Sequence, residues 1–234
     1  MSRLPILMYH HIAETKSEGL TISAAVLEAQ FKFLAENGYH TYHFNELLTL
    51  KELPSKKNVM ITFDDGFVSQ LSYAVPLLKK YKLKATFFIT LKHIGKTDAW
   101  NSGEKEIMTP EMLHSLDSEV IELAHHSYEH KKYDELSFAE IEEDTKKSFQ
   151  IVSENALEFT TVLAYPYGNF PRNNPDKDQF VNLLKNHQFR YGLRIGNRVN
   201  KFPFKNRFMI NRIDVKGEFS LSVFKRKLKW GKLI

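Results

Sequence analysis

The stretch Asn58-Val59-Met60-Ile61-Thr62-Phe63-Asp64-Asp65-Gly66 runs from an apolar segment straight into two adjacent carboxylates. The segment reads as a strand. Side chains alternate across a strand, so neighbouring aspartates at its end diverge rather than share one position. Gly66 then permits a sharp turn that a residue with a Cβ would resist. Two readings stand at this point. Either one carboxylate goes to a metal while the other handles a proton, or the triplet is a solvated turn closed by an Asx-type hydrogen bond.

The same grammar extends along the chain. Strand-like runs at 4–10, 58–63, 84–90, 118–124, 159–165, 189–194 and 207–213 alternate with segments of helical apolar spacing at 23–37, 68–81, 109–116, 137–155 and 176–187. Ser23 precedes the first helix, Thr109-Pro110 opens the third, and Ser137 with Glu140 forms a capping-box pattern. Strand followed by helix, repeated, implies parallel strands joined by helical crossovers. No linker, internal repeat or composition break interrupts the pattern, so residues 1–234 are expected to form one domain. In such α/β folds the ligand site lies at the C-terminal ends of the strands. Asp64 and Asp65 sit at one of those ends.

Composition narrows the chemistry. The 234 residues are 42% hydrophobic and 13% aromatic, enough for one sizeable core. Cysteine is absent, which excludes disulfides and leaves any metal to His, Asp and Glu. The longest apolar run, Pro5–Tyr9, is far too short to span a bilayer, and the N-terminus lacks the h-region of a signal peptide. A cytoplasmic location is therefore expected for the chain as given. Net charge is +5, and the segment from Phe224 to Lys232 carries five basic residues and no acid. It reads as a solvated last helix whose cations complement its dipole, with weak contact to an anionic membrane surface or acidic glycan as the alternative. No nucleic-acid-binding motif accompanies it, so nucleic acid is not an expected partner. Oligomeric state is left open.

Two further strand ends carry chemistry. After Val120–Ala124 comes His125-His126-Ser127-Tyr128-Glu129-His130. His126 and His130 are spaced to converge on one ion, with Ser127 able to orient a ring; a surface loop rich in histidine is the other reading. After Val162–Tyr165 comes Pro166-Tyr167-Gly168, a rigid turn whose N–H groups can face a ligand.

Taken together, these segments resemble the polysaccharide deacetylases, the carbohydrate esterase group built on the NodB homology domain. Thr62 to Gly66 matches that family's Thr-Phe-Asp-Asp-Gly motif without change. His126, Ser127 and His130 match its His-Ser/Thr-x-x-His motif, and Pro166, Tyr167 and Gly168 match the end of Arg-x-Pro-Tyr-Gly. The resemblance implies a distorted (β/α) barrel of about seven strands. It also implies that Asp65, His126 and His130 bind a divalent metal and that Asp64 is the general base. A two-histidine, one-carboxylate set suits zinc, and nickel, cobalt or iron(II) also fit. The implied reaction is removal of an acetyl group from an N-acetylated sugar or polysaccharide.

Two departures from the family pattern matter. Its motif-three arginine falls at Ala164, and its late Leu-x-x-His motif has no counterpart, since no histidine follows His187. Leu7-Met8-Tyr9-His10 fits that motif at the opposite end, which resembles the poly-N-acetylglucosamine deacetylase branch and its circularly permuted arrangement. In a closed barrel the first and last strands are neighbours, so His10 is the expected general acid, with His11 as runner-up. Arg212, near the end of a late apolar strand, is expected to pair with Asp64 in place of the missing guanidinium; a surface arginine beside Asp214 is the alternative.

In the implied mechanism the Tyr167 backbone N–H supports the oxyanion, and His10 protonates the leaving amine. Tyr165, Pro166 and Gly168 are the expected substrate contacts, with Tyr167 and Phe170 as further aromatic walls. The polar insert from Lys92 to Glu106, which holds Trp100, is expected to form part of a groove. The rival functions are an O-acetyl carbohydrate esterase and a non-catalytic sugar-binding relative that lost activity with the arginine.

Overall fold

A computed structural model describes residues 1–232. Seven parallel strands close into a barrel: β1 (Ile6–Tyr9), β2 (Asn58–Phe63), β3 (Ala85–Ile89), β4 (Ile121–His125), β5 (Phe159–Ala164), β6 (Tyr191–Ile195) and β7 (Ile210–Asp214). β1 completes the ring, with Leu7 opposite Ile61 of β2 on one side and Ile213 of β7 on the other. The N-terminal strand therefore lies beside the last one, as the expected permutation requires.

The helices α1 (Ala24–Glu36), α2 (Phe44–Thr49), α3 (Val75–Tyr81), α4 (Pro110–His114), α5 (Phe138–Glu154), α6 (Asp176–Asn186) and α7 (Leu221–Trp230) flank this ring. Ser23, Thr109 and Ser137 accept backbone N–H bonds as N-caps, and Glu140 completes the capping box. Such caps satisfy the donors that a helix leaves orphaned at its start. Among the described residues no helix is long and apolar enough to cross a membrane.

The two faces of the strands build two cores. Leu7, Tyr9, Val59, Ile61, Phe63 and Phe87 point outward and pack with Leu27, Phe31 and Leu78. Ile6, Met60, Phe88, Ala124, Val162, Leu193 and Ile210 belong to a second, inner cluster. Because side chains alternate with a period of two, every second residue beyond these also faces inward. His10 follows Ile6 and Met8, Asp64 follows Met60 and Thr62, His126 follows Ala124, and Arg212 follows Ile210. The inner layer is thus apolar at the bottom and chemical at the top.

Several expected boundaries shift for identifiable reasons. The single helix expected over 68–81 is a π-helical turn at Gln70–Ala74 running into α3. Pro76 lacks an N–H and its ring crowds the carbonyl four residues back, so regular helix cannot pass through. The strand expected at 118–124 begins at Ile121, because Asp117 accepts the Glu119, Val120 and Ile121 N–H groups in a turn. Pro5 separates β1 from Ser2–Leu4, which instead pairs antiparallel with Asn200–Phe202. α2 is an addition to the expected helices, being too short to show a period. The basic C-terminal stretch forms α7, capped by Ser220, with Trp230 exposed beside Arg3 and Lys229.

Candidate active site

Asp64 and Asp65 are both buried, at 2% and 5% exposure, so the solvated-turn reading does not hold. Asp64 continues the inward face of β2. Asp65 takes φ = 76°, a left-handed conformation that is uncommon outside glycine, and Gly66 follows at φ = 80°. A Cβ on Gly66 would come within 3.0 Å of Ile89. Ser127, His130 and Tyr167 also have positive φ, so four strained non-glycine residues cluster at one end of the barrel. Strain of this kind persists only where surrounding structure enforces it, and it concentrates at functional sites.

Arg212 is fully buried inside the barrel. Its Nη1 and Nη2 donate to Asp64 Oδ1 at 2.5 Å and Oδ2 at 2.7 Å, a bidentate pair. The guanidinium also lies 5.4 Å from the centre of the Phe88 ring. The alternative of a surface arginine beside Asp214 therefore fails; Asp214 pairs with Lys216 instead. Ala164, where the family motif has arginine, is packed in the inner cluster. Burial by itself would raise the Asp64 carboxyl, but Arg212, with smaller help from His126 and His10, holds it far below the usual carboxylate range.

Asp65 meets the histidines. Its Oδ1 lies 3.3 Å from His130 Nε2 and 3.6 Å from His126 Nε2, and ligand atoms of all three residues lie within 4.8 Å of one another. His126 donates its Nδ1–H to the Ala164 carbonyl at 2.8 Å, which leaves Nε2 as a bare lone pair. Burial pushes the His126 pKa down to about 4, so this ring is neutral. Asp65 Oδ1 is buried yet accepts no hydrogen bond. By contrast the buried Glu122 carboxylate is fully occupied by Phe44 N–H, Asn45 N–H and Thr86 Oγ1. A buried carboxylate oxygen facing the bare Nε2 of His126 and the nearby Nε2 of His130 suits a divalent cation. Asp65, His126 and His130 would hold it.

His10 Nε2 lies 3.8 Å from Asp64 Oδ2, and His126 Nε2 lies 3.7 Å from the same oxygen. His11 turns to Phe67, with ring centres 5.5 Å apart and planes near perpendicular, and its pKa falls to about 4 through burial and Lys105. Both histidines line the central cavity of about 730 Å³, but only His10 pairs with Asp64. Gln70 is a site residue that the sequence does not announce. It is fully buried on the π-helical turn, and its Nε2 donates to the Asp64 carbonyl at 2.6 Å and the His10 carbonyl at 3.1 Å. A lone glutamine in an amphipathic segment gives no signal of such a role. π-Helical turns recur at functional sites for this kind of reason.

The third motif divides unexpectedly. Tyr167 is 49% exposed at the cavity mouth, its ring 4.8 Å from that of His130, while Trp100 covers His130 at 4.6 Å. The Lys92–Glu106 insert thus contributes Trp100, Asp98 and Lys105 to the cavity wall. Tyr165 does not contact the cavity. Its hydroxyl donates to the Phe208 carbonyl at 2.8 Å, and its ring packs among Tyr133, Phe170 and Phe180. Gly192 is what admits it, because a Cβ there would collide with the Tyr165 hydroxyl. Tyr165 and Phe170 are therefore core residues, not substrate walls. Pro166 and Gly168 are also buried and shape the turn; a Cβ on Gly168 would lie 2.5 Å from the Ile195 nitrogen.

The chain is 33% identical over 172 residues to YxkH of Bacillus subtilis strain 168, covering 72% of the chain and 58% of that protein. It therefore spans less than two thirds of that relative's length. It is 27% identical over 227 residues to the poly-beta-1,6-N-acetyl-D-glucosamine N-deacetylase of Staphylococcus aureus strain N315, covering 94% of the chain and 76% of the relative. In fold it resembles the Streptococcus pyogenes deacetylase PplD, solved in complex with acetate, with TM-score 0.78, 22% identity and coverage of 97% and 98%. It likewise resembles IcaB from Ammonifex degensii, with TM-score 0.77, 22% identity and coverage of 98% and 97%. Residues 51–192 match the family model for polysaccharide deacetylase, and the chain belongs to that family.

Proposed function

We propose that this chain is a metal-dependent hydrolase that removes N-acetyl groups from an N-acetylhexosamine-containing glycan or glycan precursor and releases acetate. The observation that carries the reading is the division of labour between adjacent aspartates. Asp64 is locked to Arg212, while Asp65 faces His126 and His130 with an unshared oxygen. The N-deacetylase named among the relatives supports the choice of an amide over an ester substrate.

A divalent ion held by Asp65, His126 and His130, zinc being the first choice, would polarise the acetyl carbonyl and acidify a water. Asp64, kept ionised by Arg212, accepts the proton of the attacking water. The Tyr167 N–H, presented by the turn that Pro166 and Gly168 shape, donates to the developing oxyanion; loss of one such donor typically costs about 10²–10³ in rate. His10 delivers a proton to the departing amine from the β1 side. Trp100 and Tyr167 wall the mouth where a sugar ring would sit.

The test is acetate release by the zinc-reconstituted chain on a panel of N-acetylglucosamine oligosaccharides, with acetylated xylan in parallel. Release from the amide substrates is expected. Release from xylan alone would replace the reading with an O-acetyl esterase, and release from neither would leave a sugar-binding relative.

A further inference from the structure

We infer that Asp144, on α5, is a positioning residue that sets the geometry of the two histidine ligands without touching the ion. The inference rests on the metal-site reading above. His126 and His130 are not held by a helix, where a spacing of four would align them unaided. They flank a loop that passes through Ser127 at φ = 65° and reaches His130 at φ = 60°. Each such conformation costs on the order of 1–3 kcal/mol for a non-glycine residue, so the loop must be held from outside.

Asp144 does the holding. Its Oδ2 accepts the Tyr128 N–H at 3.0 Å, and its Oδ1 accepts the Glu129 N–H at 2.8 Å. These are the two residues immediately before His130. Asp144 is 6% exposed and forms no ion pair with a lysine, arginine or histidine among the described residues; Lys92 and Lys131 pair with Glu129 instead. A buried carboxylate without a cationic partner is costly unless its hydrogen bonds accomplish something. Ser127 Oγ accepts the His130 N–H at 2.9 Å, and Lys92 N–H donates to the Tyr128 carbonyl at 3.0 Å. One turn along α5, Ser148 Oγ bonds His125 Nδ1 at 2.8 Å. α5 therefore grips the segment on both sides of His126 through Asp144 and Ser148, and of these two only Asp144 bonds residues between the ligands.

Asp144→Asn keeps the shape but turns an amide NH₂ toward one of the two backbone N–H groups, so one bond is lost. Zinc affinity of the apo chain would be measured by competition with a chromophoric chelator, alongside the visible spectrum of the cobalt-loaded chain. The expected result is zinc binding weakened about 10–100-fold, the usual effect of losing a group that orients ligands. An altered cobalt spectrum and partial recovery in Asp144→Glu should accompany it. Ser148→Ala should bind zinc as the unmodified chain does. Zinc affinity within twofold in Asp144→Asn, whatever its melting temperature, would overturn the inference. Should that variant fail to fold, the Tyr128 and Glu129 amides of the unmodified apo chain must still be protected from hydrogen exchange, and rapid exchange there would overturn it equally. An unmodified chain that does not bind zinc removes the metal-site reading itself, which separates the two failures.

Discussion

Replacing Arg212 with Met tests the arrangement at its most unusual point. The substitution removes both hydrogen bonds to Asp64, at 2.5 and 2.7 Å, from a carboxylate that is 2% exposed. Breaking one partner of a buried ion pair costs about 3–5 kcal/mol when the other charge is left uncompensated. The chain can escape much of that cost by protonating Asp64, because burial then acts unopposed and raises its pKa. A protonated Asp64 is no longer a base. The expected outcome is a fall in kcat/KM of about 10²–10⁴, the usual contribution of general-base catalysis, with the acid limb of the pH profile moved upward. The sign can be checked through stability as well. The Asp64 pKa is depressed in the folded chain, so its contribution is present above the ordinary carboxylate pKa of about 4 and is lost as pH falls through the folded value. Arg212→Met should abolish that acid dependence. The assay is steady-state acetate release across pH, with urea melts of Arg212→Met, Asp64→Asn and the double variant. Strong non-additivity is expected, since the double variant has no orphaned charge. Unchanged turnover and pH profile, or additive stability losses, would refute the pairing as a functional one.

The remaining expectations are simpler. Asp64→Asn should abolish turnover while zinc stoichiometry stays at that of the unmodified chain; loss of zinc would move Asp64 into the ligand set. His10→Ala should lower kcat by about 10²–10⁴, whereas His11→Ala, whose ring faces Phe67, should stay within about twofold of the unmodified chain; steady-state kinetics decide, and the reverse order sinks the assignment. His125, buried among Phe149, Phe159 and Phe189, has its pKa pushed down to about 3, below its unfolded value of about 6.5. The unfolded chain therefore binds the extra proton first, and stability falls as pH drops below about 6.5. Substituting Phe for His125 should reduce the loss in urea stability between pH 7 and 5 by about 2 kcal/mol. An unchanged pH slope would show that His125 does not titrate there.

Much of the architecture is legible in the sequence because barrel strands obey short-range rules. An apolar run that ends at Asp64, a helix pattern, then another apolar run is a βα unit wherever it occurs. All seven strand positions follow from that repetition. The departures are local. Asp117 and Pro5 trim strands through hydrogen bonds and a missing donor, and Pro76 divides a helix that apolar spacing shows as continuous. At the site, Tyr165 departs from expectation because adjacency to Pro166 places it near the turn but not inside the barrel. Strand alternation from the inward Val162 and Ala164 turns it outward, and Gly192, distant in sequence, leaves room for its hydroxyl.

Residue order alone establishes which side chains could do chemistry and that strand ends would gather them. The strand period also establishes that Asp64 points inward with Met60. Which groups then meet depends on the closed ring. Arg212 reaches Asp64 because closure places β1 beside both β2 and β7, so the interior is shared across 148 positions of chain. His10 approaches the same carboxylate through that closure. Asp65 joins His126 and His130 because a left-handed turn redirects it after the strand ends. Pairings of this kind depend on distances across the barrel and on backbone conformations enforced by packing, and neither is written in neighbouring residues.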